Sequence, residues 1–195
     1  MYNKPDGITR IYFIRHCESD RTVKDGKIRP LTQKGYSDAQ LLFSLFDGIH
    51  IDMAYCSPYK RAIETIEPLV NSRKLTIQIE DKLHERISDK ENIDNWPNFF
   101  KLQWNDFNYT LSDGETLGNV QSRNIQALQE ILSESENKTA IIGTHGMALL
   151  TVMNYYNKKY GYNDWMRILP LMPYIVCFDF RGSTFIELSE MNPTL

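Results

Sequence analysis

The chain lacks the raw material of a disulfide scaffold, a membrane span or a nucleic-acid surface. Its cysteines, Cys17, Cys56 and Cys177, number three and are widely spaced, so they neither pair into a framework nor repeat a zinc-ligand pattern. Cys56 and Cys177 lie in apolar, strand-like contexts and read as buried thiols. No stretch approaches the roughly 20 apolar residues that cross a bilayer, and Met1 to Gly7 carries no signal-peptide apolar region. These absences predict a cytoplasmic protein with no membrane partner. Nor is charge of one sign in excess: 22 basic and 25 acidic residues, net −3, are spread along the chain. Without a basic patch there is no footprint for counterion-release binding, and no nucleic-acid partner is expected. Repeats, linkers and low-complexity tracts are also missing.

The sequence does have enough apolar residues for a core. At 195 residues and 42% hydrophobic, it suits one domain spanning 1–195, stable without disulfides or metals. Strand-like runs occur at 10–14, 51–55, 75–80, 139–144, 174–180 and 184–188, each short and rich in β-branched or aromatic residues. Helical patterns lie between most of them. One runs from Leu31 to Phe46 with Thr32 as N-cap and Ala39, Leu42, Phe43 and Phe46 on one face. A second runs from Pro58 to Val70 behind Ser57. A third follows a capping box at Ser112 to Glu115, with Leu117, Val120, Leu128, Ile131 and Leu132 as its stripe. A fourth, buried, spans Met147 to Asn157. Strands alternating with helices imply an α/β three-layer sandwich: a mostly parallel central sheet with helices on both faces. The tight turn at Arg181-Gly182-Ser183 adds one antiparallel edge pair.

The stretch 86–111 breaks this rhythm and reads as a lid-like insertion over the sheet edge. Trp96, Phe99, Phe100, Trp104 and Phe107 recur at spacings of three and four, which places them on one helix face. Packing explains such a stripe, and its position after Glu85 leaves a role as a pocket cap open.

Two strand-like runs end in groups that can handle phosphate. Ile11 to Ile14 runs into Arg15-His16, and Ala140 to Thr144 runs into His145-Gly146. Ligands bind at the carboxyl ends of strands in open α/β sheets, so basic groups released from two strands there can converge on one anion.

Arg15-His16-Cys17-Glu18-Ser19 resembles the Arg-His-Gly-Glu-Ser/Thr signature of the histidine phosphatase superfamily, the phosphoglycerate mutase-like branch. Four further motifs follow in the order found there. They are Pro30-Leu31-Thr32 with Gly35 and Ala39; Ser57-Pro58 with Arg61-Ala62 and Thr65; Leu83-His84-Glu85-Arg86; and Thr144-His145-Gly146. The resemblance covers nearly the whole chain and implies a phosphoglycerate mutase-like fold. It further implies a metal-independent phosphomonoesterase with no cofactor, acting on a phosphorylated small molecule or a phosphoprotein.

It makes His16 the nucleophile, since a neutral imidazole attacks phosphorus without an activated hydroxyl and gives a phosphohistidine. Arg15 and Arg61 then hold the phosphoryl oxygens, where charge spreads in the transition state. His145, protonated, is a further donor. Glu85 is the general acid, with Glu115 a competing candidate. Thr22 and Gly146 complete the phosphate-binding set, although Thr22 stands where the family usually carries asparagine. Cys17 stands where glycine is usual, so the backbone there must adopt a conformation that an L-residue tolerates, and a thiol beside the nucleophile would narrow the pocket or create an oxidation-sensitive site. Arg86 pairs with a substrate charge or a lid carboxylate, and His50 and His84 read as solvated or structural. Two other functions stay open. A phosphoglycerate mutase would return the phosphoryl group to its substrate, and a binding module would hold a phosphorylated ligand without turnover. Oligomeric state is not legible.

Overall fold

A computed structural model describes residues 5–88, 93–111 and 114–191. The central sheet holds β1 (Thr9–Arg15), β2 (Met53–Cys56), β3 (Ile77–Ile79), β4 (Thr139–Thr144), β5 (Tyr174–Arg181) and β6 (Thr184–Met191). Their order across the sheet is β3-β2-β4-β1-β5-β6. β3, β2, β4 and β1 run parallel, while β5 is antiparallel to β1 and forms with β6 the antiparallel edge pair. Gly182, with φ at +55°, makes the hairpin turn between them, a conformation only glycine adopts freely. β4 is buried at every position, as expected of a strand covered on both faces.

Helices α1 (Gln33–Leu45) and α2 (Lys60–Ser72) cover one face. They pack Leu42, Phe46, Ala62, Ile66 and Leu69 against Tyr12, Ile14, Ala54 and Ile141. On the other face, α4 (Leu117–Glu134) and α5 (Gly146–Tyr156) bury Leu117, Leu128, Met147 and Leu150 against Ile11, Phe13, Ala140 and Ile142. Here α3 (Trp96–Asn105) and α6 (Tyr162–Ile168) complete the layer. The three-layer arrangement follows from alternation along each strand: Tyr12 and Ile14 face α1 and α2, while Ile11 and Phe13 face α4 and α5.

Helix starts differ from the sequence reading in two places. The α2 helix begins at Lys60 rather than Pro58: Ser57 Oγ accepts the Tyr59 N–H at 3.3 Å in the turn ahead of it, and Tyr59, in extended conformation, is the N-cap. The α4 helix begins at Leu117, capped by the Thr116 side chain, which accepts the Asn119 N–H. The capping box expected at Ser112 to Glu115 therefore does not start it; Ser112 and Asp113 lie outside the described residues, and Glu115 is committed to Arg123. The short α6 has no clear periodic signal in the sequence. Of the aromatic stripe, Phe99 and Trp104 are buried and Trp96 is 42% exposed. Phe107 lies past the end of α3. Phe100 meets Trp165 of α6 edge-on at 5.5 Å, so α3 rests on the helical layer.

Candidate active site

The site forms where β1, β4 and β2 end side by side. Arg15 and Thr144 are register partners in β1 and β4, so the residues that follow these two strands, His16 and His145, emerge together. The His16 N–H donates to the Thr144 carbonyl at 3.0 Å, and the imidazole centroids lie 5.3 Å apart, nearly edge-to-face. Ser57 follows β2 and donates its N–H to the Gly143 carbonyl.

His16 is 7% exposed. Its Nδ1 lies 2.7 Å from the Cys17 carbonyl oxygen, which can only accept, so Nδ1 carries the hydrogen and Nε2 keeps its lone pair. Burial first, and then the charges of Arg61 and Arg15, push its pKa well below the ordinary histidine value. It is a neutral imidazole with a free ring nitrogen.

His145 is fully buried. Arg61 Nη2 donates to its Nδ1 at 3.0 Å. A guanidinium has no acceptor, so the hydrogen of this imidazole sits on Nε2, which donates to Ser57 Oγ at 2.7 Å. Burial and then the Arg61 charge hold its pKa well below the usual range. The protonated His145 of the sequence reading is thus corrected: here it is neutral and oriented by Arg61 and Ser57.

Arg15 reaches the far end of α6, where Nη1 donates to the carbonyls of Ile168 and Leu171 at 2.6 and 3.1 Å. Its Nε, buried, has no partner among the described residues. Burial pulls its pKa down to about 10, against the raising charge of Glu85. Arg61 donates through Nη1 to the Gly26 carbonyl at 2.6 Å, and its pKa is likewise lowered by burial. Two buried cations beside each other, one with an unused N–H, are costly unless an anion joins them. Gly146 makes room for this. A Cβ there would lie 3.1 Å from Arg15 Nε and 2.9 Å from the Trp165 ring.

Glu85 sits at the N-terminus of α5, its carboxylate accepting the N–H groups of Met147 and Ala148 at 3.3 and 3.2 Å and that of Arg86 at 2.9 Å. The positive end of the helix suits a carboxylate there. Its charge is felt by both Arg15 and Arg61, which places it on the same pocket. Among the described residues, no group of three or more His, Cys, Asp or Glu side chains could hold a metal ion, and no helix is long and apolar enough to cross a membrane.

Two expected residues are placed differently. Thr22 is exposed, and both its N–H and its hydroxyl are donated to Asp20 Oδ1, at 2.9 and 2.7 Å. A local Asx turn has taken the donor that the resemblance assigns to phosphate. Cys17 faces away from the pocket into a small cluster with Leu31 and Ala39. It is fully buried, and burial raises its thiol pKa to about 12. It is also absent from the positive-φ residues, of which Lys74 and Asn137 are the non-glycine cases described. Glycine is therefore not demanded by the backbone at this position.

Sequence reasoning missed the residues that orient the others. Thr65 Oγ1 accepts the Cys17 N–H at 2.9 Å and holds the loop bearing His16. Ser57 and Thr65 belong to the motif that carries Arg61, but the sequence reading gives Ser57 only a helix-start role and Thr65 none. Arg86, buried, lays its guanidinium on the rings of Phe99 and Phe100 at 5.3 and 5.9 Å, joining α3 to the segment of Glu85. It also donates to the carbonyls of Ile87 and Glu115.

Together these features define an α/β protein whose strand ends gather two neutral imidazoles, two guanidiniums and a carboxylate into one buried cluster. A family model for the histidine phosphatase superfamily (branch 1) matches residues 11–187, and the chain belongs to that superfamily. Over 81 residues it is 35% identical to the adenosylcobalamin/alpha-ribazole phosphatase of Escherichia coli K12, a match covering 39% of either chain. The chain thus aligns with about two fifths of that relative's length. Over 151 residues, 71% of either chain, it is 24% identical to phosphoserine phosphatase 1 of Hydrogenobacter thermophilus. Among solved structures it resembles YhfR of Bacillus stearothermophilus, with a TM-score of 0.74 and 26% identity over 91% of this chain and 94% of that one.

Proposed function

We propose that the chain is a metal-independent phosphomonoesterase acting on a phosphorylated small molecule. The observation that carries this is the state of His16: its Nδ1–H is given to the Cys17 carbonyl, leaving a lone pair on Nε2 of an imidazole kept neutral by burial and two arginines. Mere phosphate binding would need the guanidiniums but no nucleophile held in that tautomer.

In the proposed first step, Nε2 of His16 attacks phosphorus as the bond to the leaving oxygen breaks. Arg15 and Arg61 take the charge on the equatorial oxygens. Glu85 takes up a proton as the phosphate dianion binds beside it, gives that proton to the departing alkoxide and is left as the carboxylate. In the second, water attacks the phosphohistidine, the P–N bond breaks and Glu85 takes the proton. His145 contributes its position: Arg61 bonded to it cannot swing out of the pocket. The phosphatase names of both curated relatives support this reading.

Hydrolysis of p-nitrophenyl phosphate in the presence of a chelator tests it. Wild type is expected to turn over, and His16→Ala is expected to lose activity and the acid-labile phosphate found in acid-quenched enzyme. Equal activity in the variant, or none in wild type, overturns the proposal. Glu85→Gln is expected to slow alkyl phosphates more than nitrophenyl phosphate, within the 100 to 10,000-fold range typical of general acid catalysis.

A further inference from the structure

A cavity of about 330 Å³ opens beside the phosphate pocket, lined by Lys27, Pro58, Tyr59, Asp81, His84 and Ile87. Tyr59 is the wall shared by the two spaces. Its ring carries the Arg61 guanidinium at 5.0 Å and meets the His145 ring edge-on at 5.1 Å, and it also lines the cavity. Opposite lies His84, whose ring plane is within 18° of that of Tyr59 at a centroid distance of 6.2 Å. His84 immediately precedes Glu85, so the cavity borders the segment that carries the proposed acid.

The chemistry of the walls is specific. Pro58, Ile87 and two near-parallel rings offer flat apolar surface, which is the setting in which planar groups stack. His84 Nδ1 donates to the Glu85 carbonyl at 2.7 Å, so its Nε2 carries a lone pair and is an acceptor. The Asp81 carboxylate is a second acceptor and the Lys27 ammonium a donor. The volume sits at the lower end of pockets for drug-sized ligands, about 300 to 1,000 Å³, and exceeds what a three-carbon acid fills.

We propose that this cavity is the leaving-group subsite and that it selects phosphate monoesters of nucleoside-like alcohols, a planar ring joined to a hydroxylated sugar. Tyr59 and His84 stack the ring, and Asp81 and Lys27 take the sugar hydroxyls. This rests on the phosphomonoesterase reading above and assigns Tyr59 and His84 as specificity-determining residues.

The test compares kcat/KM for adenosine 5′-monophosphate with that for glycerol 3-phosphate and O-phosphoserine. Wild type is expected to favour the nucleotide about tenfold or more, the scale of one base stacked on an aromatic ring. Tyr59→Ala and His84→Ala are each expected to bring the ratio towards one by raising KM for the nucleotide, and Tyr59→Phe to keep the preference. The ratio within each variant is the readout, because damage to the neighbouring arginine or carboxylate lowers all substrates alike. A wild-type ratio near one, or a ratio unchanged in both alanine variants, overturns the subsite. Saturation-transfer NMR with adenosine alone separates the two proposals. If no ester is hydrolysed, the phosphatase reading falls, while adenosine binding in wild type and its loss in His84→Ala still decides the subsite; no binding in wild type overturns it.

Discussion

Arg123 and Glu115 form a bidentate ion pair, Nε to Oε1 at 2.6 Å and Nη2 to Oε2 at 2.8 Å, and it clamps the segment that carries Glu85. The third guanidinium nitrogen of Arg123 donates to the carbonyls of Lys82 and His84. Glu115 accepts the Ile87 N–H at 3.2 Å through its side chain and gives its own N–H to the Ile87 carbonyl. The backbone is thus held on both sides of Glu85. Burial alone would raise the pKa of Glu115, but the hydrogen bonds and charge of Arg123 outweigh it and hold the carboxyl below its ordinary value. Glu115, a competing acid in the sequence reading, is a brace.

Arg123→Ala is expected to destabilise the fold by about 3 kcal/mol, since it strands a carboxylate that is 11% exposed. It should also slow alkyl phosphates more than nitrophenyl phosphate, because a displaced Glu85 matters most where the leaving group needs a proton. Arg123→Lys should not restore the split, as an ammonium cannot fork across two oxygens and two carbonyls. Equal losses on both substrates would reduce Arg123 to a structural tie.

Gly146→Ala should weaken substrate binding. The added methyl would press on Arg15 Nε and the Trp165 ring, and overpacking costs about 1 to 3 kcal/mol. A raised KM for p-nitrophenyl phosphate, with the melting temperature only modestly lowered, is the expected result. An unchanged KM would mean that Arg15 can shift without losing the phosphate.

Stability should fall as pH drops below the ordinary histidine value of 6.5. The unfolded chain takes up protons on His16 and His145 there, while the folded chain, holding both pKa values depressed, does not. The slope should approach about 1.4 kcal/mol per pH unit for each histidine, and Glu115 adds only a small part near the acid end of this window, since the unfolded carboxyl starts to protonate as pH nears 4.5 while the folded one is held lower. Denaturant melts between pH 7 and 5 check this, and a His16→Asn, His145→Asn double variant should lose most of the slope. An identical slope in that variant would show that other groups set it.

Cys17 should resist alkylation in the folded protein, because its thiol is buried with a pKa raised to about 12. Iodoacetamide at pH 8 followed by peptide mass spectrometry should find it unmodified until denaturant is added. Cys17→Ala should cost about 1 kcal/mol or more from the lost contacts with Leu31 and Ala39. Rapid native labelling would contradict its placement.

Much of the architecture was legible because it rests on local pattern. The apolar run of Ile11 to Ile14 and the fully buried Thr139 to Thr144 have the composition of covered parallel strands, and Thr32 caps α1 as its sequence suggests. Arg15, His16, Arg61, Glu85 and His145 were found through motifs, and the structure brings them to one pocket. Thr22 was misplaced because a turn with Asp20, two residues away, competes for its hydroxyl. Ser57 was legible as a motif residue ahead of α2, but its bond to His145 was not, because the two meet only once β2 pairs with β4.

Residue types and their order along the chain were sufficient to suggest the chemistry proposed for the site: an imidazole nucleophile, guanidiniums for the oxyanion and a carboxyl for the proton. What they could not settle was which nitrogen of each histidine bears hydrogen, which of Glu85 and Glu115 is tied down, and whether the Cys17 thiol faces the pocket. Those depend on partners such as the Cys17 carbonyl, Arg61 and Arg123, some of them far off in the chain. Protonation and orientation are set by what lies within a few ångströms, and that proximity exists only once β1, β2 and β4 are paired and α4 is packed against the segment holding Glu85.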